Sequence, residues 1–238
     1  MKYSNTVKGK FISRHNRFIA SVEIDGCVET VHVKNTGRCK ELLIPRCDVI
    51  LEKSLNPGRK TAYDLVAVYK GDVLVNMDSQ APNAAADEWL REGAGGAFER
   101  GLYNGTTFCA DVAVKREVFF GDSRLDFCVE HDGKKTFIEV KGVTLEQSGV
   151  ALFPDAPTER GIKHIHELEN CIKDGHDAWI LFVIQMKGAT EFCPNDATHK
   201  EFGEALRKAY DAGVKIIAMD CYVSEDSMSI DSPVPVVL

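Results

Sequence analysis

No stretch of this 238-residue chain approaches the ~20 consecutive apolar residues of a membrane span, and MKYSNTVKGK, its first ten residues, lacks the apolar core of a signal peptide. A membrane partner is therefore not expected, and the cytoplasm is the expected location. None of the eight cysteines forms a C-x-x-C pair. That argues against a zinc site and a disulfide frame, and for free thiols in a reducing compartment. There is no internal repeat and no low-complexity segment. A surplus of positive charge is missing too: the net charge is −7. Taken alone, that speaks against nucleic acid. The distribution speaks for it, because residues 1–80 carry 13 Lys and Arg against 9 Asp and Glu, and residues 81–238 carry 16 against 27. A basic first third before an acidic remainder is a partner signal, although a weak one.

What is present is an ordinary globular composition, 44% hydrophobic and 27% charged. Residues 7–78 read as short strands: KGKFIS, RFIASVEI, CVETVHVK, DVILEKS, YDLVAVYK and DVLVNM. Asp25-Gly26 and Gly71-Asp72 mark hairpin turns, and GRCKELL reads as a short helix. Such a set suits a small closed barrel over residues 1–80. QAPNAAADEWLREG then reads as a helix capped by Asn83 and stopped by Gly93, with AGGAFERGL as a looser helical stretch. VKREVFF, SRLDFCV and TFIEVKG follow as strands. A helix over Pro157–Lys173 carries the stripe Ile162, Ile165, Leu168 and Ile172. AWILFVI is a strand covered on both faces. HKEFGEALRKAYDAG is a helix with Phe202, Leu206 and Ala209 inward, VKIIAMDCYV is the final strand, and DSPVPVVL is an extended tail. The fold class is α/β with a mixed sheet flanked by helices over residues 81–238.

The stretch SRLDFCVEHDGKKTFIEVKG carries the chemistry. Asp132-Gly133 sets a two-residue turn that pairs His131 with Lys134. In that register Leu125 faces Val140 and Phe127 faces Ile138, which makes one apolar face. Asp126 then faces Glu139, and Arg124 faces Lys141. Like charges directly opposite are destabilising, so something positive is expected between the two carboxylates, and Glu139→Gln is expected to stabilise the metal-free hairpin. A hard divalent cation, Mg²⁺ or Mn²⁺, suits two carboxylates and water. Lys141 lies on the same side, placed to stabilise phosphate charge or position water. The plainer alternative is a hairpin whose outer face is merely charged, since Glu-x-Lys is common in strands.

An Asp followed across a hairpin by Glu-x-Lys, then a helix and a buried strand, resembles the PD-(D/E)XK, restriction-endonuclease-like, nuclease core. NRFIASV, NTGRCKELL, APN, GDSRLDF, IEVKGVTL and FPDAPTERGIKHIHEL resemble the signature blocks of the sugar fermentation stimulation protein family. That resemblance implies an OB-like barrel before a nuclease-type domain, and a DNA-binding protein linked by name to the regulation of sugar catabolism. It leaves open whether the site cuts. By motif, Asp126 and Glu139 would be metal ligands with the Val140 carbonyl, Lys141 the catalytic lysine, and Glu88, on the preceding helix, a further candidate ligand.

Arg160 and Lys163, in the first turns of the helix after the Glu-x-Lys strand, are placed to hold phosphates beside the site, as helix N-termini attract anions. Lys163 could equally pair with Glu167. His164, also placed off the apolar stripe, reads as a packing or supporting residue. Arg124 adds positive charge to the hairpin. In the barrel Arg14, Arg17, Arg38, Lys40, Arg59 and Lys60 supply charge for tracking phosphates. Among the aromatics, Phe18 reads as core, while Phe11 and Tyr63 are open between core and base stacking. The expected partner is DNA, single-stranded or duplex, and a homo-oligomer is compatible with all of this. Three functions follow: a Mg²⁺- or Mn²⁺-dependent nuclease acting on DNA, a DNA-binding regulator that keeps the fold without physiological cutting, or, more blandly, a structural or RNA-binding module.

Overall fold

The computed structural model describes residues 1–35, 37–92, 112–131 and 133–238; AGGAFERGL, the stop at Gly93 and Asp132 of the hairpin turn lie outside the described residues. All six strands read from residues 7–78 form: β1 (Thr6–Arg14), β2 (Ile19–Ile24), β3 (Cys27–Val33), β4 (Asp48–Lys53), β5 (Tyr63–Lys70) and β6 (Val73–Asn76). Their order is β3-β2-β1-β4-β5-β6, and a parallel pairing of β3 with β5 closes the first five into a barrel. Asp25 and Gly26 both take positive φ, as a two-residue turn between β2 and β3 demands. GRCKELL is not a helix. Cys39 adopts a left-handed φ of 45°, and the Leu42 and Leu43 N–H groups both reach back to its carbonyl, so the segment makes consecutive turns.

The point of closure carries charge. His32 and Asp64 are register partners, and His32 Nδ1 lies 2.8 Å from Asp64 Oδ1. Arg59 grips the same carboxylate through both ends at 2.6 and 2.7 Å. Arg59, expected to track phosphates, is thus committed to holding the barrel shut. Phe18, expected in the core, is outside it, and Phe11, left open, is inside it. Phe11 is 2% exposed and in the core, whereas Phe18 is 51% exposed, because it sits in the turn between β1 and β2.

The rest of the chain forms α1 (Ala81–Glu92), β7 (Ala113–Phe120), β8 (Ser123–His131), β9 (Lys134–Val143), β10 (Leu145–Gln147), β11 (Val150–Phe153), α2 (Glu159–Lys173), β12 (Asp177–Ile184), β13 (Glu191–Pro194), α3 (Asp196–Asp211), β14 (Lys215–Val223) and β15 (Met228–Val234). The main sheet runs β15-β14-β12-β9-β8-β7. The meander β7–β9 is antiparallel, and β12 pairs parallel with both β9 and β14. Helix α1 covers one face, with Trp89 and Leu90 against Phe127, Ile138, Trp179 and Leu181. On the other face Ile165 and Leu168 of α2 and Phe202 and Leu206 of α3 pack with Phe137, Ile180 and Phe182. A strand between two helical layers must be apolar on both sides, and β12 is. VKIIAMDCYV is followed by a further strand, β15, whose last four residues, 231–234, belong to the segment read as an extended tail. A small sheet β10-β11-β13 also forms.

The barrel is joined to this sheet by buried polar contacts. Gln185 Nε2 donates to the carbonyls of Asn76 and Asp78 and to Asn76 Oδ1 at 3.0–3.1 Å, and the Asn76 N–H donates to the Gln185 carbonyl at 2.9 Å. Lys34 reaches Asp78 at 2.6 Å.

Burial alone would raise the Asp64 pKa, but the Arg59 and His32 hydrogen bonds outweigh it and hold the carboxyl below its ordinary value. A carboxylate lowered in the folded state adds stability above its unfolded pKa, near pH 4, and loses that contribution as pH falls through the folded value. Asp64→Asn is expected to lower stability at pH 7 by roughly 1.5–3 kcal/mol. The difference from wild type should shrink below pH 4. Urea unfolding at pH 7 and pH 3 measures it, and equal midpoints at pH 7 would remove the cluster from barrel closure.

Candidate metal and phosphate site

The hairpin register is as read from His131↔Lys134 to Phe127↔Ile138, and Gly133 takes the positive φ of the turn. At Asp126 the pattern changes. The Asp126 side chain accepts the Val140 N–H through Oδ2 at 2.8 Å, and Oδ1 accepts from Asn83 Nδ2 of α1 at 2.7 Å. On the other side of β8, Glu117 has φ +52°, and the pairing of β7 with β8 skips the Glu117–Asp126 position. Strand alternation breaks there. Leu125 joins the core on the α2 face, while Phe127, Ile138 and Val140 face α1. The four residues expected on one apolar face are therefore split, because a carboxylate replaces the backbone ladder at this point.

Glu139 is 3% exposed. Its Oε1 receives Lys141 Nζ at 2.5 Å and also the ring of His164 through Nδ1. A carboxylate only accepts, so His164 carries its proton on Nδ1. Nε2 is then an acceptor, and Arg160 Nε donates to it at 3.4 Å. Glu139 Oε2 is buried and has no hydrogen-bond partner among the described residues. The positive group expected between the carboxylates is thus partly the protein's own Lys141. The two carboxyls titrate in opposite directions. Burial and then the charge of Glu139 push Asp126 up, against the Val140 N–H, Lys141 and Asn83. Burial also opposes ionisation of Glu139, but the His164 bond and Lys141 outweigh it and hold Glu139 below the usual carboxylate range.

An unpartnered buried carboxylate oxygen beside a second carboxylate fits a hard divalent cation. Asp126, Glu139 and the Val140 carbonyl are the donors to consider. Among the described residues no three His, Cys, Asp or Glu side chains converge into a ready cage. Glu88 does not join them, because its carboxylate binds the N-terminal ammonium of Met1. The preceding helix contributes Asn83 instead. Helix α1 already begins at Ala81, so Asn83 sits in its first turn and is not the cap.

Thr158 caps α2 by accepting the Gly161 N–H at 3.0 Å. His164, expected off the apolar stripe, is buried. It shares a helical face with Gly161, Ile165 and Leu168, a spacing the sequence already contained. Arg160 and Lys163 are exposed, and Lys163 donates to the Asp122 carbonyl at 3.3 Å rather than within its helix. Arg124 is exposed and 3.4 Å from Glu117.

In the barrel, Arg14 is not free for phosphate. Its Nε, Nη1 and Nη2 donate to the carbonyls of Asn16, Gly37, Arg38, Arg17 and Asn35 at 2.6–3.2 Å, which uses all five N–H groups of a guanidinium. Arg17, Arg38 and Lys40 stand exposed around that clamp, and Lys60 is exposed on the loop between β4 and β5.

Two family models match. Residues 12–77 match the SfsA N-terminal OB domain, and residues 80–227 the sugar fermentation stimulation protein RE domain. The chain is 54% identical over its whole length to a sugar fermentation stimulation protein homolog of Clostridium beijerinckii, all of which is covered. It is 53% identical to the one of Ruminiclostridium cellulolyticum, with 99% of each chain covered. Among solved structures it is similar to SfsA of Pyrococcus furiosus in complex with Ca²⁺, with a TM-score of 0.85 and 27% identity over 100% of this chain and 98% of that one. The chain belongs to the sugar fermentation stimulation protein family. Its first unit is an OB barrel.

With Lys141 and His164 on Oε1, neutralising Glu139 removes two attractions as well as one repulsion, so the effect expected from the hairpin register alone reverses. Glu139→Gln is expected to melt below wild type in EDTA, by roughly 1–3 kcal/mol of stability. Calorimetric melting in EDTA checks it. A higher melting temperature for the variant would mean that repulsion from Asp126 dominates the site.

Proposed function

We propose that this member of the family is a DNA-binding, divalent-metal-dependent phosphodiesterase of the PD-(D/E)XK type. The observation that carries the reading is Glu139 Oε2, a buried carboxylate oxygen without a partner among the described residues, next to Asp126 and Lys141. Asp126, Glu139 and the Val140 carbonyl would hold Mg²⁺ or Mn²⁺. The Pyrococcus furiosus relative in complex with Ca²⁺ supports divalent binding. A cation there supplies Lewis acidity towards a phosphodiester. Lys141 donates to a non-bridging oxygen of the phosphate, or to the attacking water, as charge develops. Asn83 and the Val140 N–H hold the Asp126 carboxylate, and His164 holds Glu139 Oε1, so that Oε2 keeps one direction. Arg124, Arg160 and Lys163 neutralise flanking phosphates, and the barrel's Arg17, Arg38 and Lys60 extend the contact. Binding this strand of charge would offset the acidity of the whole chain locally.

One observation favours a second reading, a DNA-binding regulator without cutting. Lys141 lies 2.5 Å from Glu139 Oε1, so the lysine already neutralises the carboxylate in this structure.

Labelled single-stranded and duplex DNA, incubated with Mg²⁺, with Mn²⁺ and with EDTA, separates the two. The first reading expects cleavage in either metal and none in EDTA, with Lys141→Ala slower by roughly 10²–10³-fold. Mn²⁺ titration by calorimetry is expected to show binding that Glu139→Gln abolishes and His164→Ala weakens about 10–100-fold. DNA binding without cleavage in either metal would leave the regulator.

A further inference from the structure

A cleft with a volume of ≈720 Å³ lies where the barrel meets the second unit. That is within the roughly 300–1,000 Å³ of pockets that enclose a small ligand. Its barrel side carries Arg17, Arg38 and Lys40, all exposed. The loops bearing Arg17 and Arg38 are clamped to each other by Arg14, whose guanidinium binds the carbonyls of both residues. The lining also includes apolar residues, Leu43 from the barrel and Phe153, Pro154 and Pro157 from the second unit. The Phe153 ring is fixed by a tilted contact to Phe182 and an edge contact to Phe202, with centroids 5.5 and 5.2 Å away. Asp155 is the one acidic residue in the lining. A second, smaller cleft shares Gly37, Phe153 and Asp155 with the first and extends to Gly142, the residue after Lys141. Cations and apolar side chains therefore line the same cleft.

We infer that this groove takes an unpaired DNA strand, with a base against Phe153 and the prolines and phosphates on Arg17, Arg38 and Lys40. The inference rests on the nuclease reading and adds its substrate class. A base in a duplex is stacked and paired, so its face is unavailable to such side chains. Cations together with apolar side chains match the two chemistries of a single nucleotide, its phosphate and its base. Asp155, which would repel a phosphate, is placed instead to accept an amino group of the base.

The test is fluorescence anisotropy in EDTA with a labelled 12-nucleotide single strand and with its blunt duplex, over a range of salt. Wild type is expected to bind the single strand at least tenfold more tightly than the duplex. The triple variant Arg17→Gln, Arg38→Gln, Lys40→Gln should lose at least 30-fold in single-strand affinity at low salt. Its log–log salt slope should fall by about 2, from roughly 0.7 for each of three lost phosphate contacts. Ala156→Trp, which fills the cleft without changing charge, should weaken the single strand about tenfold at an unchanged slope. Thermal melting of both variants confirms folding; if either is unfolded, competition by unlabelled single strand and duplex against the wild type decides. Equal affinity for duplex and single strand, or folded variants that bind like wild type, overturns the cleft while leaving DNA binding and cleavage standing. Displacement of the strand by micromolar deoxynucleoside monophosphate would assign the cleft to a free nucleotide and overturn it as well. A wild-type protein that binds neither DNA form removes the parent reading together with this one.

Discussion

A carboxylate buried in the middle of a sheet is the constraint around which this fold is arranged. Desolvating an ion costs several kcal/mol unless partners replace the lost water. Glu139 lies on β9, between β8 and β12, under α2. Its position makes demands on three elements. Strand β9 must carry Lys141 two residues on, so that both side chains share a face. Helix α2 must present a proton donor at the same height, and His164 does so. The Nδ1 proton required by Glu139 leaves Nε2 for Arg160, so one tautomer serves both contacts. With Oε1 taken twice and Oε2 left bare, the remaining negative charge is aimed in one direction, which is what a cation site needs and what stability alone would not select.

The sheet makes room for that charge by giving up its own ladder. From Ile138 outward β9 keeps β12 as a partner, but on the β8 side the Asp126 carboxylate takes the Val140 N–H. Two strands part where a side chain substitutes for a backbone carbonyl. The candidate metal site lies at that parting. Asn83 closes the other side of Asp126 from α1, so both helical layers contribute one neutral donor to one carboxylate each.

Much of this was legible in the sequence, and the limits were physical ones. The hairpin register followed from a period of two and a turn with an obvious glycine, and it held as far as the backbone ladder did. It misplaced Leu125 because alternation assumes a continuous ladder. Glu88 and Asn83 lie five residues apart on one helix, and nothing in composition says which turn faces the site when the helix starts two residues before its assigned cap. Arg14, Arg17, Arg38 and Arg59 look alike in sequence. In the fold Arg14 exhausts its donors on five carbonyls and Arg59 grips Asp64 through both terminal nitrogens, while Arg17 and Arg38 stay exposed. An arginine's role is decided by unpaired acceptors within reach, and loop carbonyls become acceptors only once the barrel has closed. Strand β15 was missed for a related reason: an exposed edge strand needs no apolar pattern, only a partner.

The two units are not connected by a flexible linker near the site. Gly142 follows Lys141 at a point so crowded that a Cβ would lie 2.6 Å from Gln185 Oε1 and 2.7 Å from Pro82 Cγ. Gln185 is the residue whose amide reaches into Asn76 and Asp78 as the chain leaves the barrel, and its own N–H binds the Val143 carbonyl at 2.9 Å. One side chain thus touches the end of the barrel and the end of the strand that carries Lys141. Hydrogen bonds of this kind, buried and mutually satisfied, resist bending because each opening exposes unpaired groups. The distance between the cationic rim at Arg17 and Arg38 and the carboxylates at Asp126 and Glu139 is then a property of the folded chain. On the proposed reading, a strand engaged at the rim would reach the second unit in a register set by Gln185 rather than by closure of one unit on the other.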